Sequence, residues 1–134
     1  MYLKREEGAA AVEFALVLPL LILILFGIIE FGLVLYRQEV ITNASREGAR
    51  YGIVIGSPRP TTGEIEDVVN TYLTNAGLNA GNATIEVTPP PVMSSGSDLT
   101  VRVVYPYNFL VLPNFAASLT DTLNLSATTV MKLE

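Results

Sequence analysis

The chain contains no cysteine, no histidine and no tryptophan. Without cysteine it has neither disulfides nor thiolate metal sites. That leaves the compartment open, because an exported domain can do without disulfides if its core suffices. Without histidine it lacks the commonest general base and the commonest transition-metal ligand. The net charge of −5 argues against nonspecific binding to nucleic acid. No cofactor, no metal and no nucleic-acid partner is therefore expected. At 134 residues the chain has room for one domain, or for one domain and an anchor. Taking away an anchor leaves roughly a hundred residues, enough for a small core but not for a deep catalytic cleft.

What the chain does have is apolar sequence, concentrated near its start. From residue 14 to residue 29 every position is apolar, Pro or Gly; Glu30 interrupts, and the run resumes from residue 31 to residue 36. As a helix, residues 14–36 would be roughly 34 Å long, against a hydrocarbon core of about 30 Å. A domain this small cannot surround a helix that is apolar on all faces, so a membrane span is expected. A cleaved secretory signal would carry its small residues after the apolar run. Here Gly8, Ala9, Ala10 and Ala11 precede it. Lys4 and Arg5 lie before the span, and Arg37, Arg46 and Arg50 lie after it. Counting Lys and Arg alone weakly favours keeping the C-terminal part inside. Pro19 removes the usual donor to the Ala15 carbonyl, so a kink or local unwinding is expected within the span.

The carboxylates in this region are informative. If the chain is cut after Gly8, Ala9 becomes the amino terminus and Glu13 lies four residues on, one helical turn away. A carboxylate at the edge of an apolar run costs free energy unless paired, and a terminal amine is a suitable partner. The plainer alternative is that Glu13 marks where the membrane begins. Glu30 lies 17 residues past Glu13, roughly 25 Å along a straight helix. It is expected to reach headgroups near Arg37, or to contact another helix.

The segment Gly8-Ala-Ala-Ala-Val-Glu-Phe-Ala-Leu-Val-Leu-Pro19, with Gly27-Ile-Ile-Glu-Phe-Gly32 and Asn43-Ala-Ser-Arg-Glu-Gly-Ala-Arg-Tyr51, resembles the TadE-like family. Its members are minor pseudopilins of the tight-adherence (Flp pilus) system. The junction itself resembles the processing site of type IV prepilins. The resemblance covers roughly the first 50 residues. It implies a leader at 1–8 removed between Gly8 and Ala9, a transmembrane helix at 9–36, and an extracytoplasmic domain at 37–134 that includes a helix extension at 37–56. It further implies a single pass through the inner membrane, with the C-terminal domain outside and entry into a surface pilus. The implied partners are other pilins or pseudopilins, the assembly machinery, a prepilin peptidase and membrane lipid. Glu13 and Glu30 would be assembly or membrane carboxylates.

Beyond the span the periodicity stays helical to about Ile55, with Val40, Ile41, Ala44 and Tyr51 as an apolar face. Ala44, Gly48, Gly52 and Gly56 recur at every fourth position. Interior glycines cost about 1 kcal/mol each relative to alanine, so a close approach along that face is expected. The partner is either this protein's own sheet or another subunit's helix. Residues 57–63 break the helix. Thr61 and Glu64 have capping-box spacing, and Ile65, Val68, Val69, Tyr72 and Leu73 form one face of a short helix. Gly77 should stop it. Strands are expected at 83–88, 99–105 and 123–132, with a turn at 93–97. Residues 106–117 are apolar without clear period, and would either close the core or form an exposed patch.

The expected class is α+β and pilin-like: a long N-terminal transmembrane helix continuing into a small domain with a short helix and an antiparallel sheet of about three strands. Three functions compete. The first is a subunit that takes part in assembling a pilus or related secretion apparatus. The second is a membrane-tethered binding or regulatory module that never enters a filament. The third is a hydrolase using Glu64, Glu66 or Asp67. Those acids open an amphipathic helix, where the dipole accounts for them, so no catalytic residue and no enzyme activity is expected.

Overall fold

A computed structural model describes residues 3–89, 94–110 and 122–134, with side chains from residue 8 onward. The chain forms helix α1 (Leu3–Gly52), helix α2 (Thr62–Asn75), a short 3₁₀ turn (Ala80–Asn82) and strands β1 (Thr84–Thr88), β2 (Asp98–Tyr107) and β3 (Leu123–Lys132). The class is α+β, with a long apolar N-terminal helix, one further α-helix and a three-stranded antiparallel sheet. Two compact units result. Among the described residues, one comprises 3–33 with 109 and 110, and the other comprises the rest.

Helix α1 has 50 residues, or about 75 Å at 1.5 Å per residue. It continues through Pro19 without a break, so the local unwinding expected there is absent. Membrane-type helices tolerate a proline where neighbouring helices, polar side chains, water or a local backbone adjustment satisfy the freed carbonyl. The helix stops at Gly52, short of Ile55. Tyr51, expected on its apolar face, is exposed.

In the second unit the sheet runs in the order β1-β2-β3, each neighbour antiparallel. Strand β2 alternates: Leu99, Val101, Val103, Tyr105 and Tyr107 are buried, while Asp98 and Arg102 are exposed. That is the pattern of a sheet with one face on a core and one in solvent. Leu125 and Ala127 of β3 join the same core. So do Val40, Ile41, Ala44 and Ala49 of α1, and Ile65, Val69 and Leu73 of α2. β2 runs two residues past the expected Tyr105. Pro106 can belong to it because β1 has already ended, its last partner in that direction being Val104; there Pro106 pairs only with Asn124 of β3.

Local signals explain the ends. Thr61 and Glu64 form a reciprocal capping box on α2. Gly77 follows α2 with φ +80° and Gly96 turns the chain before β2 with φ +86°, both conformations that a side chain disfavours. Two polar contacts clasp α1 to β3: the Gln38 side-chain amide donates to the Ser126 carbonyl at 2.9 Å, and the Ser45 and Thr129 hydroxyls lie 2.7 Å apart. The Ser45 side chain is fully buried, so its hydroxyl requires such partners; it also donates to the Thr42 carbonyl at 2.9 Å.

Candidate functional site

The first half of α1 is the feature that demands a function. Fifteen large apolar side chains between Val12 and Leu35 are exposed, Leu16 to 75% and Phe14 to 64%. Covering the exposed part of each would be worth about 1 kcal/mol, so the total is on the order of 15 kcal/mol. That equals or exceeds the net stability of a typical domain, about 5–15 kcal/mol. Such a surface does not persist in water. Of the described helices only α1 is long and apolar enough to cross a membrane, and none of its most apolar stretch is buried within the chain. This is a candidate single membrane span, not the core helix of a soluble fold.

At the N-terminal edge of this surface, Gly8, Ala9 and Glu13 all lie within α1 and are all exposed. A side chain at Gly8 would meet nothing within 4 Å. Among the described residues Glu13 makes no hydrogen bond or ion pair. Its carboxylate is available to a partner beyond the chain, one helical turn from Ala9.

Glu30 is placed quite differently. It is 2% exposed, whereas Ile29 and Phe31 on either side are 43% and 64% exposed. Its carboxylate accepts the Leu110 backbone N–H at 3.0 Å. The expectation of a headgroup-facing residue near Arg37 is thus corrected: the chain itself covers Glu30. Arg37 takes a separate partner, its guanidinium lying 4.9 Å from the centroid of the Tyr107 ring, a cation–π distance.

The small-residue stripe faces inward. A Cβ at Gly48 would come within 2.5 Å of Val69 Cγ2, and one at Gly52 would collide with Leu99 Cδ2 and lie 2.6 Å from Ile65 Cδ1. Ala44 is fully buried. The close approach is therefore made within the chain, to α2 and β2. Gly56 lies past the helix end, where a Cβ would sit 3.1 Å from the Pro58 carbonyl oxygen. It is not part of the stripe.

Of the α2 acids, Glu64 has structural work. Glu64 accepts from the Thr61 backbone N–H at 2.7 Å and from the Thr61 hydroxyl at 3.0 Å. These bonds hold its carboxyl below the usual glutamate range, the backbone N–H being the larger cause. Glu64 and Asp67 border a groove of about 450 Å³ that also includes Glu47, Tyr51 and Tyr72. Glu47 is engaged by the Arg50 guanidinium. Of residues 106–117, Pro106 and the buried Tyr107 belong to β2, and Leu110 is exposed; residues 111–117 lie outside those described. Sequence reasoning missed Gln38, Ser45 and Leu110 as contact residues. Ser45 offered a weak signal, a hydroxyl next to Ala44 on the apolar face.

A long exposed apolar helix, a candidate membrane span, followed by a small α+β unit defines the class. Within that class, residues 8–50 match the family model described as TadE-like protein. The match contains the Gly8–Ala9 junction, Glu13, Glu30, Gly48 and Arg50, and coincides with nearly all of α1. No curated protein and no solved structure matches the chain significantly.

Proposed function

We propose that this protein is a minor pilin or pseudopilin that takes part in assembling a Flp-type tight-adherence pilus or a related secretion apparatus. The observation that carries the reading is the TadE-like match over residues 8–50, which falls on the exposed apolar helix and its junction. In this reading the protein passes once through the cytoplasmic membrane, with its C-terminal domain outside. A prepilin peptidase cuts between Gly8 and Ala9. The new Ala9 amine then pairs with Glu13 of the same or an adjacent subunit, as the exposure of both residues permits. The apolar surface is covered first by lipid and then by the helices of other pilins. The protein acts by association and not as an enzyme. Glu64 supports that, since its carboxylate is committed to the α2 cap.

The test is the intact mass of protein purified from membranes of its native host. The expected species begins at Ala9. Full-length chain beginning at Met1, with an active peptidase present, would refute the processing step.

A further inference from the structure

We propose that the bend at Leu110, with Phe109 before it, is a second membrane contact, immersed in the lipid boundary at the C-terminal end of the apolar run, with Glu30 as its internal hydrogen-bond acceptor. The inference rests on α1 spanning the membrane but not on pilus assembly.

The argument begins with depth. If hydrocarbon starts near Phe14, Glu30 lies roughly 24 Å further along the helix, inside the far edge of a core about 30 Å thick. A carboxylate there must be satisfied by protein, because lipid tails donate nothing. The Leu110 backbone N–H faces the mirror-image problem: away from water it needs an acceptor. The 3.0 Å bond between them answers both needs. It also fixes the Leu110 backbone at the depth of Glu30, within one hydrogen bond of the helix flank. The burial pattern agrees. Glu30 is 2% exposed, Phe26, Gly27 and Leu33 on its own helix face are half-buried, and Ile28, Ile29 and Phe31 beside it are exposed. Leu110 is 62% exposed. An exposed leucine held at that depth meets acyl chains. Lipid is the occupant because Leu110 is held against a helix whose large apolar side chains beside Glu30, Ile28, Ile29 and Phe31, are themselves exposed.

The absence of cysteine makes a direct test available. Full-length Leu110→Cys, labelled with an environment-sensitive fluorophore, is reconstituted into phosphatidylcholine vesicles with iodide on both sides. Leu20→Cys reports on the span, and Asn70→Cys on the exposed surface of α2. The expected result is strong quenching of the Leu110 label by lipids carrying a nitroxide near the headgroup, with iodide quenching severalfold weaker than at Asn70. Adding Glu30→Ala should restore iodide access severalfold, whereas Glu30→Gln, which keeps an acceptor oxygen, should restore it much less. Iodide access at Leu110 equal to that at Asn70 would overturn the proposal. So would protection from both quenchers, which means burial against protein. Protection appearing only at high protein-to-lipid ratio would assign the surface to a second copy and overturn it equally. A Leu20 label open to iodide would refute the span and the proposal together. A lipid-quenched Leu20 beside an iodide-quenched Leu110 would refute the proposal alone.

Discussion

Replacing Gly48 by alanine adds one methyl group where the chain leaves no room for it. The new Cβ would stand 2.5 Å from Val69 Cγ2, and Ile65 Cγ2 and Val101 Cγ1 close the sides at 3.5 Å. Carbon atoms in contact prefer about 3.5–4.0 Å, so α1 and α2 must part by about 1 Å at this point. Val69 is fully buried and β-branched, and its χ1 is nearly fixed in a helix, so it does not swing aside. Overpacking of this kind costs about 1–3 kcal/mol. Against it, alanine in place of an interior helical glycine gains about 1 kcal/mol. The net expectation is a loss of up to about 2 kcal/mol. Gly63→Ala is the control, because a side chain there meets nothing within 4 Å; it should be neutral or stabilising. Urea unfolding of a fragment running from Val34 to Glu134, followed by circular dichroism, measures both. In the Val69→Ala background the Gly48→Ala penalty should largely vanish, a coupling of about 1 kcal/mol. If Gly48→Ala stabilises as Gly63→Ala does, the close approach is not real and the reasoning fails.

Further outcomes follow from the same structure. The Val34–Glu134 fragment contains the entire second unit, so it should be monomeric and melt in one cooperative transition; aggregation or a broad melt would count against a self-contained head. Thr61→Ala removes the α2 cap and should cost about 1 kcal/mol in urea unfolding. The Glu64 contribution has a definite pH direction. Its folded pKa is lowered, so the stabilisation is complete above the ordinary glutamate range and is lost as pH falls through the lowered value. NMR titration of the Glu64 carboxyl should show this, and Thr61→Ala should move the midpoint back up. Glu13→Gln should insert normally yet lose recruitment of partner pilins in detergent pull-downs, with Glu13→Asp intermediate; wild-type recruitment by the glutamine variant would reduce Glu13 to a membrane-edge residue.

Much of the fold was legible because its signals are local. The α2 cap needs only Thr61 and Glu64, and both strand alternation and the stop at Gly77 are read within a few residues. β3 was read at its observed bounds because turn-forming sequence precedes its strict alternation. The glycine stripe announced a close approach but not its partner, since two helical glycines look alike whether they face a sheet or another subunit. Glu30 was unreadable for a deeper reason. Its acceptor role depends on Leu110, 80 residues away, and nothing in an apolar run reveals which distant backbone N–H will return to it. Tyr51 was misplaced because the buried face runs through Gly48, Ala49 and Gly52, and Tyr51 lies to the side of it.

The clasp between α1 and β3 also bears on the order in which the chain folds. Ser45 and Thr129 are 84 residues apart, whereas the Arg102–Glu86 pair joining β1 to β2 spans 16. Closing the larger loop costs about 1.5 kcal/mol more in chain entropy. The β1–β2 hairpin can form as soon as both of its strands have been synthesised. The inner face of α1 has no β3 to meet until the chain has emerged past residue 129, so during synthesis Val40, Ile41 and Ala44 wait uncovered. That interval is when the nascent head is most open to a chaperone or to another nascent copy, and its length is set by the elongation rate, not by the stability of the finished fold.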